Sequence, residues 1–119
     1  MTATDLRAAA LAARAAAEEA ESVAHARRRA CGCRDVWSCA PCADAHRALY
    51  DACGAAWQAH AAVLPPGTAV TYTGTRADDH GPGWTVEGVS AGCLGAGYTI
   101  VRDGRTLSRV RLEHLTPEE

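Results

Sequence analysis

The chain contains no lysine, no phenylalanine and no asparagine, and all 12 of its basic residues are arginine. With alanine dominating, this usage is expected of a GC-rich genome such as that of an actinobacterium or its phage. The abundance of alanine and arginine therefore carries little functional signal. A charge excess is also missing: the formal net charge of −2 excludes global attraction to nucleic acid or an anionic membrane and leaves only local patches. No continuous apolar run opens the chain. Asp5, Arg7, Arg14, Glu18 and Glu19 interrupt residues 1–20, which read as neither signal peptide nor membrane span. A cytoplasmic location is expected, where thiols are kept reduced and clustered cysteines point to metal or redox chemistry. With 119 residues there is room for one compact domain or two very small ones, which bury little apolar surface and gain from a metal or cross-link.

What is present falls into two halves. Residues 5–30, "DLRAAALAARAAAEEAESVAHARRRA", lack Gly and Pro and predict one long helix, with Thr4 as N-cap and Gly32 as the stop. A second helix is predicted from Pro41 to Ala62, because proline suits a first turn. Along it Cys42, His46, Leu49, Cys53, Trp57 and His60 recur at spacings of three and four, which is one helical face. Leu6, Ala10, Ala13, Ala17, Ala20 and Ala24 would pack against that face in a close antiparallel hairpin. Cys53, like Cys93, reads as an ordinary small apolar residue.

After Leu64-Pro65-Pro66-Gly67 the pattern changes. "GTAVTYTG" (67–74), "GWTVEGV" (83–89), "GYTIVRDG" (97–104) and "TLSRVRLEHL" (106–115) alternate apolar and polar residues between turn residues, and Asp103-Gly104 is a hairpin signal. In strand count, strand length and the terminal "VRLEHLTP", this half resembles Src-homology-3-like and KOW-like barrels. That resemblance implies a small closed β-barrel.

The chemistry is concentrated in "CGCRDVWSCAPC". Cys31, Cys33, Cys39 and Cys42 are spaced C-x-C-x5-C-x2-C, and two such pairs close the tetrahedron that zinc prefers in structural sites. The pairs end one helix and begin the next, where an ion would pin a hairpin whose alanine seam is weak. Arg27, Arg28, Arg29, Arg34 and Arg47 surround the excess negative charge of four thiolates on a divalent ion. His46, four residues after Cys42, is an alternative ligand with Cys33, Cys39 and Cys42 that would leave Cys31 free. An iron–sulfur cluster also takes four thiolates. A catalytic zinc would need an open position and a base, so Asp35 and Asp44 read as a solvated loop residue and a first-turn charge. This half resembles a zinc-stapled helical hairpin.

The rival is redox. Trp37-Ser38-Cys39-Ala40-Pro41-Cys42 resembles the thioredoxin active-site turn, which implies a dithiol at a helix N-terminus with lowered thiol pKa. It departs from that family in having Ser38 between Trp and Cys and in lacking a preceding β-strand. Elsewhere, Tyr72, Trp84 and Tyr98 read as core or as an exposed aromatic surface of the Tudor-like kind. Asp78, Asp79 and His80 read as a polar turn or a cation site. Arg109 and Arg111 share a strand face opposite Val110 and Leu112, either solvated or docking nucleic acid or an acidic protein.

The expectation is an α+β protein: a zinc-stapled α-hairpin over 1–63, a linker at 64–67 and a small barrel over 68–119. Its expected function is that of a non-enzymatic adaptor recognising protein or nucleic acid, with neither a membrane nor a small-molecule substrate evident. Structural zinc would sit on Cys31, Cys33, Cys39 and Cys42, and Arg109, Arg111, Tyr72 and Trp84 are candidate partner-binding residues. A thiol switch or oxidoreductase using Cys39 and Cys42 is the alternative.

Overall fold

The structure is a computed structural model and describes residues 2–90 and 97–118. Helix α1 runs over Ala3–Cys31 and helix α2 over Ala40–Val63. The cap of α1 is Thr2 rather than Thr4. Its side chain accepts from the Asp5 N–H while Asp5 bonds back to the Thr2 N–H, a reciprocal box that Thr4 cannot form because its third helical residue is Arg7, which has no acceptor. Gly32 ends α1 with a left-handed φ of 67°, a conformation glycine adopts without penalty. Ala10, Ala17 and Ala24 are buried along α1, one every seventh residue, as in a supercoiled seam. Leu6, Ala13 and Ala20 are half-buried beside them.

On α2 the buried positions are Cys42, Ala43, Ala56 and His60. Trp57, expected on that face, is 56% exposed: Ala56 fills the seam, and the next residue points about 100° away. Cys53 also departs from expectation, being disulfide-bonded; nothing in its local spacing signals this. Cys93 lies outside the described residues. No helix among the described residues is long and apolar enough to cross a membrane.

The second half is one antiparallel sheet of five strands: β1 Ala69–Tyr72, β2 Gly81–Val89, β3 Tyr98–Arg102, β4 Arg105–Val110 and β5 Leu115–Pro117. The α+β architecture is as expected. Asp103 and Gly104 both take positive φ, 48° and 80°, as the tight β3–β4 turn requires. The strand order is β4-β3-β2-β1-β5, with a 3-10 turn at Leu112–His114 leading into β5. Register shifts in three of the strand pairs bend the sheet. Its edge strands β4 and β5 do not pair with each other, so hydrogen bonding leaves the expected closed barrel as an open sheet.

Tyr72 and Trp84 are core residues, 3% and 0% exposed, and form no exposed aromatic platform. With no phenylalanine, these rings fill the space inside the sheet together with Tyr98, Ile100, Leu112 and Leu115. Trp84 donates its indole N–H to the Asp79 carbonyl at 3.0 Å, and the Arg102 guanidinium lies 4.4 Å from its ring centroid. Asp79 belongs to the same frame. It is buried and paired with Arg105 at 2.6 and 2.8 Å, so the "ADDHGPG" turn is fastened from inside.

Helices and sheet share a core. Ala10 and Leu64 belong to the same apolar cluster as the sheet residues. Arg7 donates to the carbonyls of Leu112 and Leu115, Arg14 pairs with Glu113 at 2.7 Å, and the buried Tyr98 hydroxyl donates to the His60 carbonyl at 2.6 Å. All of these contacts involve the start of α1 and the end of α2. The radius of gyration is 16.7 Å, against about 13.5 Å for a compact chain of this length. The far end of the hairpin, which carries the cysteines, thus projects roughly 25 Å beyond Arg14 along the helix axis.

Candidate metal centre

The cysteine cluster is assembled by three short elements. Cys31 is the last residue of α1, and the left-handed Gly32 turns the chain so that Cys33 follows on the other side. Asp35 then caps a 3-10 turn at Val36–Ser38, accepting from the Trp37 N–H at 3.0 Å and the Ser38 hydroxyl at 3.2 Å. This aspartate is the exposed loop residue that the sequence suggested, and it also organises the loop. Cys39 is the N-cap of α2, with proline in the first turn, and Cys42 lies one turn on. Val36 is buried beneath the loop.

The four sulfurs converge, all within 4.8 Å of one another. The closest approaches are Cys31 to Cys39 at 3.2 Å and Cys33 to Cys42 at 3.5 Å. Each joins the end of α1 to the start of α2. A tetrahedral ion with ~2.3 Å metal–sulfur bonds holds its sulfurs about 3.8 Å apart, in the middle of this range. The donor set is four thiols with no intervening side chain, so the residues fit a thiolate-bound metal. All four cysteines are free. Neither close pair is the Cys39–Cys42 pair of the thioredoxin-like reading.

The thiols are not equivalent. The Cys42 N–H, at the opening of α2, lowers the Cys39 pKa, and the hydrogen bond with Cys31 adds to this. The same bond to Cys39 raises Cys31. Burial pushes Cys42 up to about 12, so in the absence of a cation this sulfur stays a thiol. A metal ion would reverse that preference, since coordination deprotonates the thiol outright.

His46 stands outside the converging group. Its Nδ1 lies 3.1 Å from the Cys42 carbonyl, and its ring meets the edge of Trp37. Asp44 pairs with Arg47 at 2.9 Å on the exposed side of α2. Arg109 and Arg111 are both exposed, at the end of β4 and just beyond it.

The exposed aromatic surface lies where the sequence did not place it. Trp37, Tyr50 and Trp57 are 51%, 61% and 56% exposed, and the Trp37 and Tyr50 rings stack 6.0 Å apart and 9° from parallel. The i, i+7 spacing of Tyr50 and Trp57 is the signal that would have found them. It is masked because Trp57 also falls at i, i+4 from Cys53 on the stripe read from the sequence. Compared with known protein families, curated proteins and solved structures, the chain matches none.

Proposed function

We propose that the protein is a non-enzymatic binding module in which structural zinc, held by Cys31, Cys33, Cys39 and Cys42, closes the free end of the helical hairpin. The observation that carries this reading is the convergence of four sulfurs within 4.8 Å at the end of the hairpin farthest from the sheet. Zinc supplies no chemistry in this reading. It ties α1 to α2 where the seam is alanine, and its binding energy is folding energy. The partner, protein or nucleic acid, would meet an exposed surface rather than an enclosed active site. The exposed Trp37, Tyr50 and Trp57 support that, since solvent-facing aromatic groups are the usual material of recognition surfaces.

Native mass spectrometry and far-ultraviolet circular dichroism test the proposal together. One zinc per chain, with helical signal lost on chelation and in Cys39→Ser, is the expected result. A metal-free protein with an unchanged fold, or disulfide-reductase activity that needs Cys39 and Cys42, would overturn it in favour of dithiol chemistry.

A further inference from the structure

A cavity of about 250 Å3 is lined by Tyr72, Thr75, Arg76, residues 107–111 and His114. It lies between the end of the inner strand β1 with the residues after it and the edge strand β4 with its following turn. Three arginines line it, Arg76 from one segment and Arg109 and Arg111 from another more than thirty residues further on.

Two of the nearby acids are engaged by other arginines, while Asp78 is exposed and shares a separate pocket with Arg76. Glu113 binds Arg14 at 2.7 Å and reaches Arg111 only at 4.0 Å, while Asp79 is held by Arg105. Neither Arg76 nor Arg109 has an ion pair among the described residues. Three like charges around one cavity repel each other unless an anion joins them.

The backbone is shaped for this arrangement. Arg109 has a φ of +58°, a left-handed conformation that is unfavourable for a non-glycine residue. It is held there by its N–H bond to the Ser90 hydroxyl at 3.0 Å and by the register shift between Tyr98 and Ile100 opposite it. Gly97 allows that fit, since a Cβ there would lie 2.7 Å from the Val110 carbonyl oxygen. As a result Ser108 and Arg109 are exposed in succession, and Arg109 borders the cavity with Arg111. Backbone strain held by its surroundings is characteristic of functional positions.

We propose that this cavity is a phosphoryl-binding site, with Arg76, Arg109 and Arg111 as its anion ligands. A phosphoryl group brings three terminal oxygens and up to two negative charges, matching three guanidinium forks better than the single charge of a carboxylate. The inference deepens the binding-module reading and rests on that part of it alone. The metal centre is a separate site, so either can fail without the other.

Zinc-loaded protein is titrated with pyrophosphate, with acetate and with an eight-nucleotide single-stranded oligothymidine, followed by calorimetry and by amide chemical shifts. Expected is saturable binding of pyrophosphate or the oligonucleotide, at least tenfold tighter than acetate, with shifts at Arg76, Ser108, Arg109 and His114. Arg76→Gln and Arg109→Gly should each weaken it at least tenfold. Glycine accepts the left-handed backbone, so Arg109→Gly removes the guanidinium without disturbing the fold. If nucleic acid is the source, the oligonucleotide binds more tightly than pyrophosphate, and log K falls with log salt at a slope near −2, about −0.7 per phosphate over three contacts. Tighter pyrophosphate binding assigns a small phosphorylated ligand instead. No binding of either, equal affinity for acetate, or unchanged affinity in both variants would overturn the site, while zinc stoichiometry in the same samples reports separately on the metal centre.

Discussion

The hairpin and the sheet bury their surfaces in opposite ways. The hairpin seam is made of Ala10, Ala17, Ala24, Ala43 and Ala56 with Cys42, whereas the sheet encloses Trp84, Tyr98, Ile100, Leu112 and Leu115. Alanine lets helices approach closely but removes little apolar area from water, and stabilisation scales with area at ~25 cal/mol per Å2. A seam of this kind needs fixing at its ends. The sheet fixes one, through Arg7, Arg14 and the Tyr98 hydroxyl, and the cysteine cluster sits at the other. The sheet, with large buried side chains and paired strands, needs no such support.

The largest expected effect follows from that contrast. Apparent binding energies of structural zinc are on the order of 10 kcal/mol or more, so chelation or Cys42→Ser should melt the outer turns of α1 and α2 while leaving the sheet folded. Circular dichroism at 222 nm should fall, while amide protection of Ile100 and Val86 persists. Loss of both together would show that the halves fold as one unit. The reverse perturbation is Trp84→Ala, which removes a fully buried ring and leaves the Asp79 carbonyl without its donor. It should cost about 3–5 kcal/mol, read by urea unfolding, with zinc still bound at one per chain because the cysteines lie far along the hairpin.

A smaller effect tests whether the seam is set by close approach. Ala17 is fully buried at the middle of α1, and Ala17→Leu inserts volume where two helices already touch. A loss of about 1–3 kcal/mol is expected from overpacking, with little change in the sheet. A gain in stability would show that the seam is loose and that area, not approach, limits it.

The same two halves differ in how much of them is visible in the chain. Helix ends are local: Gly32 stops α1 and Pro41 opens α2 within a residue or two of expectation, because each acts through its own backbone. The cysteine spacing is local as well, so four ligands separated by a short loop announce a cluster without a fold. The strands follow their alternation, and Asp103-Gly104 turns as its dihedral needs dictate. What the chain hides depends on tertiary neighbours. Trp57 leaves its helical stripe because Ala56 takes the seam; Tyr72 and Trp84 go inward because the sheet must be filled; and Arg76 and Arg109 come to line one cavity only through the folded sheet. The disulfide at Cys53 belongs to this class.

The smallest effect probes the junction where the halves meet. His60 is fully buried, its Nδ1 lies 2.8 Å from the Ala56 carbonyl, and its Nε2 has no partner among the described residues. Burial lowers its pKa, with Arg14 acting in the same direction and the Ala56 hydrogen bond and Glu113 opposing. The folded state therefore disfavours the proton that the unfolded chain accepts near pH 6.5. Stability from this histidine is complete above that value and is lost as the pH falls through it. Glu113 contributes in a separate, lower window: hydrogen bonding to Arg14 lowers its pKa, so its share is lost only as the pH falls below about 4.5. His60→Leu removes the titrating group and the orphaned nitrogen. The variant should match or exceed the parent at pH 7.5, and the difference in its favour should grow between pH 7 and 5.5. Because both proteins keep the same cysteines, the proton dependence of zinc binding cancels in that difference. A constant offset between the two urea curves across this range would place the pH sensitivity of the fold at the metal end instead of at the junction.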